Sequence, residues 1–213
     1  MSAVDATSDQ ALDLGRRLMA FNWLTAAYAH RDWLGPWADI IEPRPRASIR
    51  LIRRASIVLL DRMSLRQRFA RELRDDAWVI EPRDRIHEFA TTLGMAMLGG
   101  WVRNRIERAE VALQVKVLGA AGRDRALGFA HRLGALPFPL SGKWPVALSG
   151  PSAPFRLGVS CLAAMLESEQ SGVRDRFLLR FPADTAVSLL LSPRQRDEAL
   201  SIIHGQDTAA AGV

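Results

Sequence analysis

A chain of 213 residues that is 48% apolar and 24% charged is long enough to bury a core, and its composition excludes a disordered, collagen-like or disulfide-scaffold protein. Its net charge of +6 comes from arginine, since Lys116 and Lys143 are the only lysines, and its single cysteine, Cys161, cannot close an internal disulfide. The longest weakly polar run, Phe89 to Val102, is shorter than the roughly 20 apolar residues of a membrane span, so no span is expected.

Met1 to Gln10 lacks the basic start and apolar stretch of a secretory signal, which points to the cytosol. A first helix is predicted from near Asp9 to Ala29, with Leu12, Leu18, Phe21 or Asn22, and Thr25 to Tyr28 along one side. It stops before Gly35-Pro36, and Glu42-Pro43-Arg44-Pro45 reads as a stiff connector. Ser48 caps a second helix whose inner stripe is Ile49, Ile52, Ser56, Leu59 or Leu60, and Met63. Ser64-x-x-Gln67 reads as a capping box opening a short helix, with Leu65, Phe69 and Leu73 inward and Arg66, Arg71 and Arg74 outward. Asp75-Asp76 is a turn, and Trp78-Val79-Ile80 a short extended piece.

Pro82 suits the first turn of the next helix, which Gly99-Gly100 breaks or bends. Trp101 to Leu118 carries a stripe of Val102, Ile106, Ala109, Leu113 and Val117. A further helix covers about Arg123 to Leu133, with Gly134 as its C-cap. Pro137 to Pro154 is too rich in Pro, Gly and Ser for regular structure. It is either a surface loop pinned by Trp144 or a hinge. Helix returns over Phe155 to Glu169. Phe177 to Phe181 has strand character but no partner strand, so helix plus turn is favoured. Ser192-Pro193-Arg194-Gln195 opens the last helix and Gly205 ends it. The sum is a mainly α protein: a single-domain irregular multi-helix bundle over residues 9–205, with one long Pro/Gly-rich loop at 137–154 and flexible ends at 1–8 and 206–213.

Chemistry is sparse. His30, His87, His131 and His204 stand apart, none with a Cys or second His at ligand spacing, so no metal is expected. Ser141-Gly142-Lys143 lacks the upstream Gly of a phosphate loop. Gly158-Val159-Ser160-Cys161-Leu162 has only the first half of a nucleophile elbow. Glu167 and Glu169 fall on different helix faces. No catalytic residue, cofactor or enzyme activity is expected.

Two features remain. Residues 21–37, FNWLTAAYAHRDWLGPW, hold five large aromatics in a chain that is 7% aromatic. Between Arg44 and Arg74, ten arginines face only Asp61 and Glu72, a local balance of +8. Such a field steers an acidic partner, although a solvated helix face with Arg stems over apolar surface is the plainer and preferred explanation. A helix-turn-helix over Ile49 to Trp78 is conceivable, but its turn lacks Gly. A basic helical nucleic-acid-binding protein is therefore the alternative, and an accessory helical protein with an unrelated partner a third.

The aromatic segment, with His30-Arg31-Asp32-Trp33-Leu34, resembles the N-terminal region of the type III secretion sorting-platform adaptors, the SctK family, which includes plant-pathogen Hrp proteins and the rhizobial nodulation protein NolU. A second likeness runs from Gly158 to Pro182: an apolar helix with Leu162, Ala163 and Ala164, then Asp175-Arg176-Phe177-Leu178-Leu179-Arg180-Phe181-Pro182, similar to that family's Arg-Leu-x-Leu-Arg-Leu-Pro stretch with Phe177 and Phe181 in place of Leu. The resemblance implies a non-enzymatic cytoplasmic adaptor, peripheral at the inner membrane. It would link an SctD-like membrane-ring protein to an SctQ-like pod protein, and through that to stator and ATPase, without nucleic acid. A bridge needs two faces. One is expected at Trp23, His30, Trp33, Leu34 and Trp37, where aromatic anchors concentrate binding energy. The other is expected at Arg50, Arg53, Arg54, Arg66 and Arg71. A hydrophobic seal over the end of the first helix is the competing role for the tryptophans, and the preferred one for Trp23.

Overall fold

The computed structural model describes residues 3–42, 47–66, 73, 77–129, 152–166, 171–186 and 189–210, and every regular element among them is helical. In chain order these are α1 (Ala3–Trp23), α2 (Arg31–Leu34), α3 (Ala38–Ile41), α4 (Ile49–Arg62) and α5 (Arg83–Asn104). Then follow α6 (Arg108–Leu118), α7 (Ala120–Gly128), α8 (Ala153–Met165), α9 (Ser171–Leu178) and α10 (Pro193–Ala210). Single 3-10 turns cover Thr25–Ala27, Gly35–Trp37 and Ala77–Ile80. The mainly α expectation holds. Most of the 137–154 loop, the Phe69 and Arg71 positions and Gly134 lie outside the described residues.

The chain divides into two compact units, each built from two separate stretches: Met1–Pro82 with Leu166–Asp184, and Arg83–Met165 with Thr185–Val213.

In the first unit, α1 ends at Trp23, six residues before the expected Ala29. The chain leaves the helix at Leu24, and the Ala26 N–H finds a new acceptor in Ser56 Oγ, 3.0 Å away on α4. Ser56 in turn donates to the Ile52 carbonyl at 2.7 Å, so one hydroxyl fixes the corner between two elements. Ser48 caps α4 as expected, accepting from the Leu51 N–H at 3.3 Å. The buried stripe of α4 is Ala55, Ser56, Leu59 and Leu60; Ile49, expected inward, is exposed. Ser64 ends α4, and Gln67 with most of the short helix expected after it lies outside the described residues. Its φ of 54° is left-handed. Leu65 N–H bonds the Leu60 carbonyl at 2.8 Å and Ser64 N–H the Asp61 carbonyl at 3.1 Å, the paired bonds of a Schellman ending. Trp78, Val79 and Ile80, expected to be extended, form a buried 3-10 turn instead. The core gathers Ala26, Ala29, Leu34, Ile41, Leu59 and Leu179, with Trp33, Trp37 and Tyr28 packed at its edge.

The second unit is centred on α5 and α8. Gly99-Gly100 does not interrupt α5, which runs to Asn104. The break comes instead at residues 105–107, inside the expected 101–118 helix. There Gln114, fully buried, donates to the Arg105 carbonyl at 2.9 Å and the Val102 carbonyl at 3.4 Å. A side chain thus serves the orphan carbonyls at the end of α5. Ile106, expected in the inner stripe, is 80% exposed at that break. α5 and α8 run antiparallel in backbone contact: a Cβ at Gly94 would strike the Pro154 carbonyl, and one at Gly158 the Ala90 carbonyl. Gly158 is therefore a packing glycine. The capping box at Ser192 and Gln195 forms as expected, with Ser192 N–H donating to Gln195 Oε1 at 2.9 Å. α10 passes through Gly205 and continues to Ala210.

Candidate protein-docking groove

The expected aromatic face is largely turned inward. His30 caps α2: its Nδ1 accepts from the Asp32 N–H at 3.3 Å, and its backbone N–H donates to the Leu179 carbonyl at 2.6 Å. Trp33 Nε1–H donates to the Phe181 carbonyl at 2.7 Å. The Trp33 carbonyl in turn accepts from the Arg62 guanidinium. Leu34 is buried, and Trp37 is half-buried against the core. Trp23 is the outward one, 46% exposed, where a seal was the preferred role.

The segment after α9 meets this region. Arg180 lies over the rings of Tyr28, at 5.0 Å, and Phe21, at 5.8 Å, and donates to the Glu81 carbonyl at 2.8 Å. Burial depresses its pKa to about 10, against the opposing pull of Tyr28 and Glu81. Arg176 is fully buried and donates to the carbonyls of Leu65, at 2.7 Å, and Gly172, at 3.2 Å. Burial lowers its pKa as well. These two guanidinia tie α9 to the α4 exit and the Tyr28 corner. They join backbone carbonyls and aromatic faces, the arrangement of structural rather than reactive groups.

Arg50, Arg53, Arg54 and Arg66 are all exposed, and Arg71 lies outside the described residues. Arg66 pairs with Asp61 at 3.4 Å. Arg53 and Arg66 help line a cleft of about 1000 Å³ between α1 and α4. From α1 the cleft takes Leu12, Arg16, Met19 and Trp23, a stripe at helical spacing; from α4 it takes Arg53, Ile57 and Leu60. Leu12, Met19 and Ile57 are 57%, 61% and 46% exposed. Sequence periodicity placed Leu12 on an inner stripe, and gave Met19 and Ile57 no role. The missed signal was Arg16 set between Leu12 and Met19, a charge inside an apolar stripe.

Among the described residues no group of His, Cys, Asp or Glu is placed to hold a metal, and no helix is long and apolar enough to cross a membrane. Cys161 is buried in α8, which pushes its thiol up to about 12, far from a reactive thiolate. The site the described residues build is thus an open apolar groove with an arginine rim. No protein-family model matches the chain, and no curated protein or solved structure matches it.

Proposed function

We propose that this protein is a non-enzymatic adaptor of a type III secretion system, cytoplasmic and peripheral at the inner membrane, linking an SctD-like ring protein to an SctQ-like pod protein. One observation carries the reading. The SctK-like resemblance covers residues 21–37 and 158–182; the ends of those stretches that carry its motifs, 30–34 and 175–182, lie far apart in sequence yet bond directly within the first unit. Leu179 and Phe181 offer their carbonyls to His30 and Trp33, and Asp32 accepts from the Ala183 N–H at 3.4 Å. Two loosely similar motifs that support each other physically are better support for one shared architecture than either alone. The open groove with its exposed arginines adds a surface suited to holding a protein.

The test is recovery of the full chain from cells that assemble the secretion apparatus. Co-purification with the SctQ-like and SctD-like proteins is the expected outcome. The same material should bind duplex DNA weakly or not at all. Tight DNA binding that falls steeply with salt, as phosphate contacts release counterions, would favour the basic nucleic-acid-binding alternative and end the adaptor reading.

A further inference from the structure

Two properties of the α1–α4 cleft decide what fits it. Its walls are helices, whose backbone N–H and C=O groups bond within each helix, so it offers no ladder to an extended peptide. The peptide form suited to such a groove is a helix, which arrives with its own backbone groups bonded and lays an apolar face against the floor. Its floor is apolar and its rim cationic: Arg16, Arg53 and Arg66 line it, and no carboxylate does among the described residues. Arg16 and Arg53 form no ion pair among the described residues, whereas Arg66 shares Asp61. From Leu12 to Trp23 the α1 wall rises about 16 Å, three turns of helix.

We infer that the cleft between α1 and α4 docks an acidic amphipathic helix of a partner protein. Its apolar side chains, spaced i, i+3 or i+4 and i+7, cover Leu12, Met19, Trp23 and Ile57. Asp or Glu beside that stripe meets Arg16 and Arg53. The inference rests on the adaptor reading for the existence of a partner and adds the chemistry of the segment it takes. Two other occupants fit less well. A small ligand buries roughly 70–90% of its surface in its pocket, and a cleft whose Met19 stays 61% exposed is too open for that. A second copy of this chain docked face to face would set Arg16 and Arg53 against their own equivalents, like charge on like.

The experiment uses the full-length protein and two labelled synthetic peptides of about 18 residues, long enough to hold a helix. Both carry the same Leu stripe, flanked by Glu in one and by Lys in the other. Anisotropy titrations should show the Glu peptide binding about tenfold tighter or more. Arg16→Glu/Arg53→Glu should reverse that order, and Met19→Asp, at an exposed position, should abolish both. Equal binding of the two peptides by the wild-type chain would overturn the inference without recourse to any variant. So would binding indifferent to Met19→Asp in a variant with unchanged circular dichroism, or a concentration-dependent dimer that Met19→Asp dissolves. Failure here alongside normal recovery of the SctQ-like and SctD-like proteins would remove the acidic helix and leave the adaptor. Selective peptide binding with neither protein recovered would do the reverse.

Discussion

Trp33 shows how a residue's type can point outward while its bonds point inward. Tryptophan is favoured at interfaces because it joins a large apolar face to one donor. Here the ring packs at the core edge and the donor is already bonded to the Phe181 carbonyl. Trp33→Phe should therefore lower stability by about 1 kcal/mol, the net worth of one hydrogen bond, in a denaturant titration. It should leave partner recovery unchanged in a pull-down. Cys161 gives a second residue-scale expectation. Its thiol sits well above its ordinary value of 9, at about 12, because burial disfavours the thiolate. The unfolded chain loses that proton first, so the contribution is complete below pH 9 and fades as pH rises towards 12. Tyr28, also raised by burial, begins to act only from its ordinary value of 10. Between pH 8 and pH 10 the wild-type chain should therefore lose about 1.4 kcal/mol more stability than Cys161→Ala, the equivalent of one pK unit. Parallel pH dependences in the two proteins would contradict the burial of the thiol.

At the scale of elements, the helical character was legible and the helix ends were less so. Caps with a local chemical signature were found: Ser48 and the Ser192–Gln195 box work as their spacing implies. Ends set by distant partners were hidden. Nothing near residue 105 announces a break, because the group that serves those carbonyls is Gln114 on the following helix. The five apolar positions of that stretch thus read as one stripe, although Ile106 stands in solvent. Glycines misled in the same way. Gly99-Gly100, expected to break or bend α5, leaves it unbroken, and Gly205, expected to end α10, sits inside it, while Gly158 looked like half a motif and is a point of backbone contact. Of the groove, the arginine side was visible as a charge excess. Its apolar wall was not, since helical spacing of Leu and Met reads as core by default. Two substitutions separate these roles. Gly158→Ala should destabilise by about 3 kcal/mol, because the new methyl meets the Ala90 carbonyl. Gly205→Ala, with open space around it, should stabilise by about 0.5–1 kcal/mol through helix propensity alone. Ser64→Gly should also stabilise, by about 1 kcal/mol, since it relieves an L-residue held at a φ of 54°. Thermal melts of the three variants would rank them.

For the whole molecule the consequential fact is that both units are discontinuous in sequence. The first unit leaves the chain at Pro82 and is completed only by Leu166–Asp184. That returning stretch is no ornament. It supplies the Leu179 and Phe181 carbonyls to His30 and Trp33, the Arg176 donors to Leu65, and the Arg180 cation over Phe21 and Tyr28. It also brings Phe177, whose ring meets Trp78 edge-on at 5.6 Å. A fragment of residues 1–82 would leave the His30 and Trp33 N–H donors, the Leu65 carbonyl and the Phe21, Tyr28 and Trp78 rings without these partners. Each buried polar group so orphaned costs about 1–3 kcal/mol, and a domain has only about 5–15 kcal/mol in total. The fragment should therefore show helical circular dichroism from α1 and α4 but no cooperative unfolding. Adding a peptide of residues 166–184 in trans should restore a cooperative transition, and the same peptide with Arg176→Ala and Phe177→Ala should not. A fragment that melts cooperatively alone would mean that α9 decorates the unit rather than completing it. The bond between the two family-like stretches would then lose its structural force, and the adaptor reading its principal support.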